Sequence, residues 1–256
     1  MLLDHPLIAE RYFFPRADTP AEPLLVDAGD AQLMCRRVVR GGDRLMLVCF
    51  HGNGEIVADY VDDVEPAVLR LGLDLFLAEY RGYGGSSGAP LLGKMLGDVD
   101  AIVRAAGVPV ERIVVFGRSV GSIFAIELAH RHPGIAGLIL ESGIASPLER
   151  LLLRVTPAEL GVTPAAFQAE VERHLDHRRK LGAYRGPLLV LHAAHDHLVD
   201  VSHAERAHAW AASADKELVI FPRGDHNSIL FENQADYWAA LARFTGRIAR
   251  GPAPGA

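Results

Sequence analysis

A serine between two glycines carries the strongest chemical signal in this sequence. The segment Gly117-Arg-Ser119-Val-Gly121 follows an apolar run at residues 112–116 and precedes an amphipathic stretch that predicts a helix. This pattern between a strand and a helix is typical of a nucleophile elbow, a sharp turn that exposes the serine hydroxyl. Only small residues fit two positions before and after such a serine, because those positions crowd each other. We therefore predict that Ser119 is a nucleophile.

A serine hydroxyl needs an adjacent base, and the base needs a carboxylate that fixes its tautomer and stabilises its cation. In the fold that uses this elbow, the acid follows the serine along the chain and the histidine follows the acid. Asp196 follows a predicted strand that ends near Leu191, and His226 follows one that ends at Phe221. Because the carboxyl ends of parallel strands share one edge of a sheet, we predict a catalytic triad of these two residues with Ser119.

Other acids and histidines compete for these roles. Asp200 is interpreted as the N-cap of the helix that follows it, and Asp225 is too close to His226 in sequence to reach its ring easily. His226 is preferred among the twelve histidines because it follows the last predicted strand. Others, including His177 and His203, are interpreted as exposed or helix-surface residues.

The turn His51-Gly-Asn53-Gly54 follows the third predicted strand. Its glycines allow the backbone to approach a substrate closely. We predict that the backbone N–H groups of Asn53 and Val120 bind the substrate oxyanion, as a pair of donors must in acyl transfer. The alternative interpretation is a glycine turn without a catalytic role.

The elements that must position these residues alternate between apolar strands and amphipathic helices. The pattern predicts an antiparallel hairpin within 21–40, strands at 45–50, 73–79, 112–116, 135–140, 188–191 and 217–221, and helices at about 55–71, 91–106, 120–130, 202–212 and 234–249. Strands separated by long helices indicate right-handed crossovers. The predicted fold is therefore α/β, with a mostly parallel central sheet flanked by helices.

One stretch interrupts the alternation. About forty residues, at about 144–186, are amphipathic and helical without a strand, which indicates an insertion. We interpret it as a small helical cap over the active-site cleft; the alternative is a set of helices packed on the flank of the domain. The remainder predicts a single domain over residues 1–256, with a loose C-terminal tail at 251–256.

Composition excludes several classes of protein. The 256 residues are 50% hydrophobic and 23% charged, which excludes a disordered chain. The net charge of −6 and the absence of a basic stripe argue against a nucleic-acid partner. Cys35 and Cys49 have neither the spacing of metal ligands nor that of a disulfide scaffold. Neither a signal peptide nor an apolar run long enough to span a membrane is visible, so we expect a cytoplasmic protein.

Four motifs together resemble the α/β-hydrolase superfamily over nearly the full length of the chain. They are Phe50-His-Gly-Asn-Gly54, Tyr80-Arg-Gly-Tyr-Gly84, Phe116-Gly-Arg-Ser119 and Phe221-Pro-x-Gly-x-His226-Asn. Their order and spacing are similar to those of the Bem46/ABHD13/ABHD17-like branch. The resemblance implies a Ser-His-Asp hydrolase of esters or thioesters that uses no cofactor. Asp200 departs from this pattern, since many members have proline there.

The resulting prediction is a serine hydrolase that cleaves a small-molecule ester or thioester through an acyl-enzyme intermediate. Some relatives remove fatty-acyl groups from proteins and reach membranes by a cysteine-rich segment that this chain lacks, so that activity is not carried over. One alternative is a non-catalytic binding protein of the same fold. The other is a metallo-hydrolase, because His192, His195, Asp196 and His197 approach the H-x-H-x-D-H pattern with one histidine displaced. No oligomeric state is predicted.

Overall fold

The computed structural model describes residues 1–251. The predicted loose tail at 251–256 therefore lies, apart from Gly251, outside the described residues. None of the helices within residues 1–251 combines the length and the apolar character that a transmembrane helix requires.

A single twisted sheet forms the centre of the molecule. In the described part of the chain it has eight strands: β1 (Leu24–Asp27), β2 (Gln32–Val38), β3 (Met46–Phe50), β4 (Asp74–Ala78), β5 (Ile113–Arg118), β6 (Gly137–Glu141), β7 (Leu188–Ala193) and β8 (Lys216–Phe221). Their order is β1-β2-β4-β3-β5-β6-β7-β8. β1 with β2 and β2 with β4 pair antiparallel, and the pairs from β4 through β8 are parallel. The mostly parallel sheet predicted from the sequence is confirmed.

Helices cover both faces of this sheet. They are α1 (Pro6–Tyr12), α2 (Val64–Arg70), α3 (Leu92–Ala106), α4 (Gly121–Arg131), α5 (Pro147–Leu152), α6 (Pro164–Leu175), α7 (His177–Ala183), α8 (Ser202–Trp210), α9 (Ile229–Glu232) and α10 (Gln234–Ala249), with short 3-10 turns at Leu2–Asp4, Val57–Tyr60 and Val110–Arg112. The helices predicted at about 91–106, 120–130, 202–212 and 234–249 correspond closely to α3, α4, α8 and α10, whereas α1 and α9 were not predicted.

The helix predicted at about 55–71 is shorter than expected. A 3-10 turn replaces its first half, and α2 occupies only the second half. The carboxylates of Glu55 and Asp59 accept hydrogen bonds from the backbone N–H groups of Gly52 and Ile56, at 2.7 Å and 3.1 Å. Asp59 thus caps the start of the 3-10 turn, and Glu55 organises the turn that precedes it. The amphipathic pattern reveals neither hydrogen bond.

Burial on both faces explains why the central strands are apolar at every position. In β3, Met46, Val48 and Phe50 pack into the core on the side of α3 and α4. Leu47 and Cys49 point the other way, into the core on the side of α2 and α10. A strand covered on both faces has no side chain that can remain polar without cost. Because helices cover both faces of the sheet, the candidate site lies at the carboxyl ends of the strands.

The insertion between β6 and β7 contains α5, α6 and α7, and it serves two purposes. Ser146, Thr163 and Asp176 accept hydrogen bonds at the starts of these three helices, which explains why each helix begins there. α7 packs against α4 and α8, and α6 packs against α5 and the Leu2–Asp4 turn. α6 and α7 therefore lie on the flank of the molecule. Within the insertion, Ile144, Arg150 and Arg154 line a cavity together with Ser119.

Close contact between α4 and β3 gives the first testable prediction. A Cβ atom at Gly121 would lie 2.2 Å from the carbonyl oxygen of Phe50. We expect Gly121→Ala to lower the free energy of unfolding by roughly 1–3 kcal/mol or more, because neither backbone segment can move away freely. Gly97→Ala is the matched control, since a Cβ atom there meets nothing within 4 Å. It replaces an exposed mid-helix glycine of α3 and is expected to stabilise by about 0.5–1 kcal/mol. Urea unfolding of both variants measures this, and equal effects would contradict the packing described.

Candidate active site

The turn between β5 and α4 holds Ser119 in an uncommon backbone conformation. Its φ is +51°, in the left-handed region that non-glycine residues occupy only at a cost of about 1–3 kcal/mol. The turn is too tight for side chains two positions before and two positions after the serine. A Cβ atom at Gly117 would lie 2.7 Å from the carbonyl oxygen of Gly121. The backbone N–H of Ser119 donates to Glu141 O at 2.9 Å, and Ser122 Oγ donates to Ser119 O at 2.6 Å.

The structure brings the three predicted site residues together. Ser119 Oγ lies 2.9 Å from Nε2 of His226, and Nδ1 of His226 lies 2.7 Å from Oδ2 of Asp196. All three are buried, at 9%, 6% and 4% relative exposure respectively. With the proton of neutral His226 on Nδ1, that nitrogen donates to Asp196 and Nε2 accepts from the serine hydroxyl. A hydroxyl, a base and an orienting carboxylate are thus arranged as covalent catalysis requires.

Asp196 is held in a geometry that keeps it ionised. Its Oδ1 accepts from the backbone N–H groups of Leu198 and Val199, at 2.9 Å and 2.7 Å. Burial by itself raises the pKa of Asp196, but hydrogen bonds from His192, His226 and the Val199 backbone outweigh burial and lower it well below its usual range. The carboxylate is therefore charged at neutral pH and can stabilise a positive charge on His226.

His192 lies behind Asp196, a position that the sequence did not predict. It is fully buried, with Nε2 2.8 Å from Val199 O and 3.3 Å from Oδ2 of Asp196. The only sequence signal was its position four residues before Asp196 at the end of a strand. His195 and His197 are exposed. In the described residues no group of three or more His, Cys, Asp and Glu side chains is arranged to hold a metal ion, so the metallo-hydrolase alternative has no ligand set there.

The rival acids are occupied elsewhere. Asp200 Oδ1 accepts from the backbone N–H of Ser202 at 3.0 Å, at the start of α8. Asp225 Oδ1 accepts from the backbone N–H groups of Asn227 and Ser228, both at 3.0 Å. Each carboxylate therefore organises its own turn.

Two histidines interpreted as surface residues are in fact buried, and that interpretation was wrong. His177 Nδ1 lies 2.7 Å from Ile144 O, and His203 Nδ1 accepts from the Ala145 N–H at 3.0 Å. Burial lowers the pKa of His177 to about 3 and that of His203 to about 4, so both rings are neutral. The two rings thereby hold the backbone of Ile144 and Ala145, near the start of the insertion, in place. A histidine on a helix facing an insertion has the same sequence pattern as one facing water.

The predicted oxyanion donors belong to residues of the same cavity as Ser119. Asn53 and Val120 line that cavity, and neither backbone N–H donates to a protein acceptor within residues 1–251. The Asn53 side chain fixes the turn, because its amide donates to Tyr12 O at 2.5 Å and its carbonyl accepts from the Tyr83 hydroxyl at 2.9 Å. Two preorganised N–H groups beside a nucleophile can stabilise a developing oxyanion.

A buried hydrogen-bonded pair, His51 and Glu79, supports the turn that carries Asn53. His51 Nε2 lies 2.7 Å from Glu79 Oε1, and its Nδ1 lies 2.8 Å from Gly52 O. Burial by itself lowers the pKa of His51, but the adjacent Glu79 carboxylate outweighs burial and raises it. The other carboxylate oxygen of Glu79 accepts from the Val57 N–H at 2.9 Å, and Tyr80 donates to His51 O at 2.7 Å. The network connects β3, β4 and the turn that presents Asn53.

Arg118 links the nucleophile turn to the histidine loop. Its Nε lies 3.1 Å from Glu55 Oε1 and 3.3 Å from Glu141 Oε1, and a terminal nitrogen donates to His226 O at 3.0 Å. The Tyr237 hydroxyl donates to Glu141. Burial opposes the charge on Arg118, but the two carboxylates outweigh burial and raise its pKa. The guanidinium group is therefore permanently charged and holds the backbone of His226 in place.

A small cavity opens above Ser119. Its volume is about 210 Å³, and it is lined by Tyr12, Phe14, Asn53, Glu55, Arg118, Ser119, Val120, Ile144, Arg150, Arg154, Leu198, Val199, His226 and Asn227. A larger groove of about 470 Å³ lies between α2 and α10 and shares Glu55, Arg118 and Asn227 with it. The smaller cavity contains Ser119, His226, Asn53 and Val120, so it is the candidate substrate site.

The buried arginine gives the second prediction. Arg118→Met leaves Glu55 and Glu141 without their shared counter-charge, so we expect the free energy of unfolding to fall by about 3–5 kcal/mol. The double variant Arg118→Met/Glu141→Gln removes one of the stranded charges and should recover part of that loss. Chemical denaturation of the three proteins measures the effect. A single variant as stable as the natural protein would contradict the ion-pair assignment.

Comparison with known proteins identifies the family of the chain. The sequence matches the family described as serine aminopeptidase S33 (Hydrolase_4) over residues 42–167 and 160–234. Curated relatives include alpha/beta hydrolase domain-containing protein 17C of Mus musculus and of Homo sapiens. Each is 29% identical over 226 residues that cover 85% of this chain and 65% or 63% of the relative. The chain thus spans slightly less than two thirds of the length of these relatives.

Solved structures share the fold. Esterase Pf2001 of Pyrococcus furiosus has a TM-score of 0.70 and 16% identity, covering 91% of this chain and 96% of its own. A hydrolase from Pseudomonas aeruginosa PA01 has a TM-score of 0.68 and 24% identity, covering 89% of this chain and 99% of its own. At these identities the similarity shows the architecture alone, which is that of the α/β-hydrolases.

Proposed function

The chain belongs to the serine aminopeptidase S33 family of α/β-hydrolases, and from this premise we propose that it cleaves carboxylic ester or thioester bonds with Ser119 as nucleophile. It is a member of the branch that includes alpha/beta hydrolase domain-containing protein 17, as its motifs predicted. The observation that carries the proposal is the continuous hydrogen-bonded chain from Ser119 through His226 to Asp196 at a strained strand-to-helix turn.

The mechanism uses only groups of this chain and water. Ser119 Oγ attacks the substrate carbonyl while His226 Nε2 accepts the hydroxyl proton, and the charge of Asp196 stabilises the imidazolium. The carbonyl oxygen becomes an oxyanion, which accepts hydrogen bonds from the N–H groups of Asn53 and Val120. His226 then gives its proton to the departing alcohol or thiol. Water, deprotonated by His226, attacks the acyl-enzyme; His226 then returns the proton to Ser119 Oγ as the bond to the acyl group breaks and the acid is released.

Electrostatics favour an ester or thioester over a free amino-terminal peptide. An aminopeptidase must bind an ammonium group close to the scissile bond, which calls for an available carboxylate. Glu55 is the one carboxylate among the described lining residues of the small cavity. It already accepts from Tyr60 at 2.6 Å and from the Gly52 N–H at 2.7 Å, and it pairs with Arg118. The cavity therefore offers little to a cationic substrate.

Substitution of the nucleophile tests the proposal. With para-nitrophenyl esters of graded chain length and matched thioesters as substrates, Ser119→Ala should lower kcat by roughly 10⁴–10⁶-fold, because no acyl-enzyme can form. Its free energy of unfolding should stay within about 1 kcal/mol of the natural protein. Ser202→Ala, on α8 outside the cavity lining, is the control and should retain full turnover.

Two results would contradict the proposal. Turnover by Ser119→Ala within tenfold of the natural protein would exclude this serine as the nucleophile. Absence of turnover by the natural protein across the whole panel would favour the alternative, a binding protein built on a hydrolase fold.

A further inference from the structure

Two arginines of the insertion face the catalytic cavity. Arg150, in α5, and Arg154, just after it, line the cavity of about 210 Å³ together with Ser119 and His226. Tyr12 borders the same cavity. Burial raises the pKa of its hydroxyl to about 12, and the positive charges of Arg150 and Arg154 act in the opposite direction. Both guanidinium groups are therefore close enough to this wall of the cavity to influence it electrostatically.

The protein leaves these two charges unbalanced. Within residues 1–251 neither arginine has a carboxylate oxygen within 4.0 Å, the distance that defines an ion pair here. Glu149, the neighbour of Arg150 in sequence, is turned towards α8 instead, where Arg206 binds both of its oxygens, at 2.7 Å and 2.9 Å. Glu149 therefore pairs with Arg206 and does not neutralise Arg150.

The other permanently charged residues on the cavity lining, Arg118 and Glu55, form an ion pair with each other. Arg118 pairs with Glu55 at 3.1 Å, so this lining pair contributes no net charge. Arg154 is exposed, and its guanidinium group lies 5.5 Å from the ring centre of Phe14, which lines the same cavity. Arg150 is half-buried. The cavity therefore presents two positive charges on the same lining as Ser119.

We propose that Arg150 and Arg154 form an anion-binding site that selects esters or thioesters carrying a carboxylate or phosphate group near the scissile bond. The inference rests on the proposed function and names its substrate class. Planar guanidinium groups bind carboxylate and phosphate through paired, charge-assisted hydrogen bonds. In a partly enclosed cavity such bonds are stronger than on open surface. A neutral ester can use the triad but leaves both guanidinium groups without a partner.

Matched substrate pairs test this inference on both sides of the ester. Para-nitrophenyl adipate ends its acyl chain in a carboxylate, whereas para-nitrophenyl hexanoate has the same chain length and no charge. Para-carboxyphenyl hexanoate and its methyl ester place the same contrast on the leaving group. The quantity measured is the ratio of kcat/KM for the anionic and the neutral member of each pair. Comparing this ratio between proteins cancels intrinsic reactivity and any loss of folded enzyme.

For at least one substrate pair, we expect Arg150→Gln or Arg154→Gln to lower the kcat/KM ratio by about tenfold. The double glutamine variant should lower it by about 100-fold. These values correspond to the energy of hydrogen bonds to charged groups. The double lysine variant should keep part of the preference, because it keeps the charge. Arg178→Gln is the matched control: this exposed arginine lies on α7 of the same insertion, outside the cavity lining. Its ratio should equal that of the natural protein.

Failure of the inference and failure of the proposed function give different results. If the natural protein hydrolyses the neutral esters and the double glutamine variant keeps the natural ratio for both pairs, the anion site is overturned while the hydrolase stands. If the natural protein hydrolyses none of the esters, the proposed function fails. Calorimetric binding to Ser119→Ala protein then tests the arginines directly. The site is supported if Ser119→Ala protein binds monomethyl adipate more tightly than methyl hexanoate and this preference disappears when both arginines are also replaced by glutamine. Equal binding of the two esters to Ser119→Ala protein overturns it.

Discussion

The close approach of α4 to the end of β3 is the constraint on which the site depends. Gly121 lies so close to the Phe50 carbonyl that no side chain fits, and this contact fixes where the helix begins. Ser119, two residues earlier, must then adopt a left-handed backbone, which lifts its hydroxyl above the sheet. Val120, between Ser119 and Gly121, lines the same cavity as Asn53 of the turn after β3. The backbone conformation of Ser119 and the start of α4 are thus linked to one close packing contact.

Ion pairs and hydrogen bonds to charged groups hold Asp196 and the His226 loop in place. Asp196 remains ionised because His192, His226 and two backbone N–H groups offset the cost of its burial. Arg118 remains charged because Glu55 and Glu141 surround it, and it holds the His226 backbone. Each buried charge has its partners within hydrogen-bond reach, which is the condition under which buried charges are tolerated. Arg150, which is half-buried, and Arg154, which is exposed, have no carboxylate partner within residues 1–251, and the proposed anionic substrate would supply one.

The sequence predicted the parts of the structure that local chemistry determines. Gly117, Ser119 and Gly121 are contiguous, so the turn that they form could be inferred directly, and the apolar strands predicted the sheet and the edge at which Asp196 and His226 meet. It did not predict contacts made by residues distant in the chain. The burial of His177 and His203 depends on how the insertion folds back, and the position of His192 depends on the loop after β7. Helical periodicity likewise did not reveal the hydrogen bonds that the Glu55 and Asp59 side chains accept in the segment after β3.

Mass spectrometry after reaction with a fluorophosphonate probe tests the central claim most directly, since only an activated serine reacts rapidly with such a probe. The expected result is one added phosphonyl group on the peptide that contains Ser119, and almost no labelling when His226 is replaced by alanine. Labelling confined to a different residue, or an unchanged rate of labelling without His226, would contradict the account.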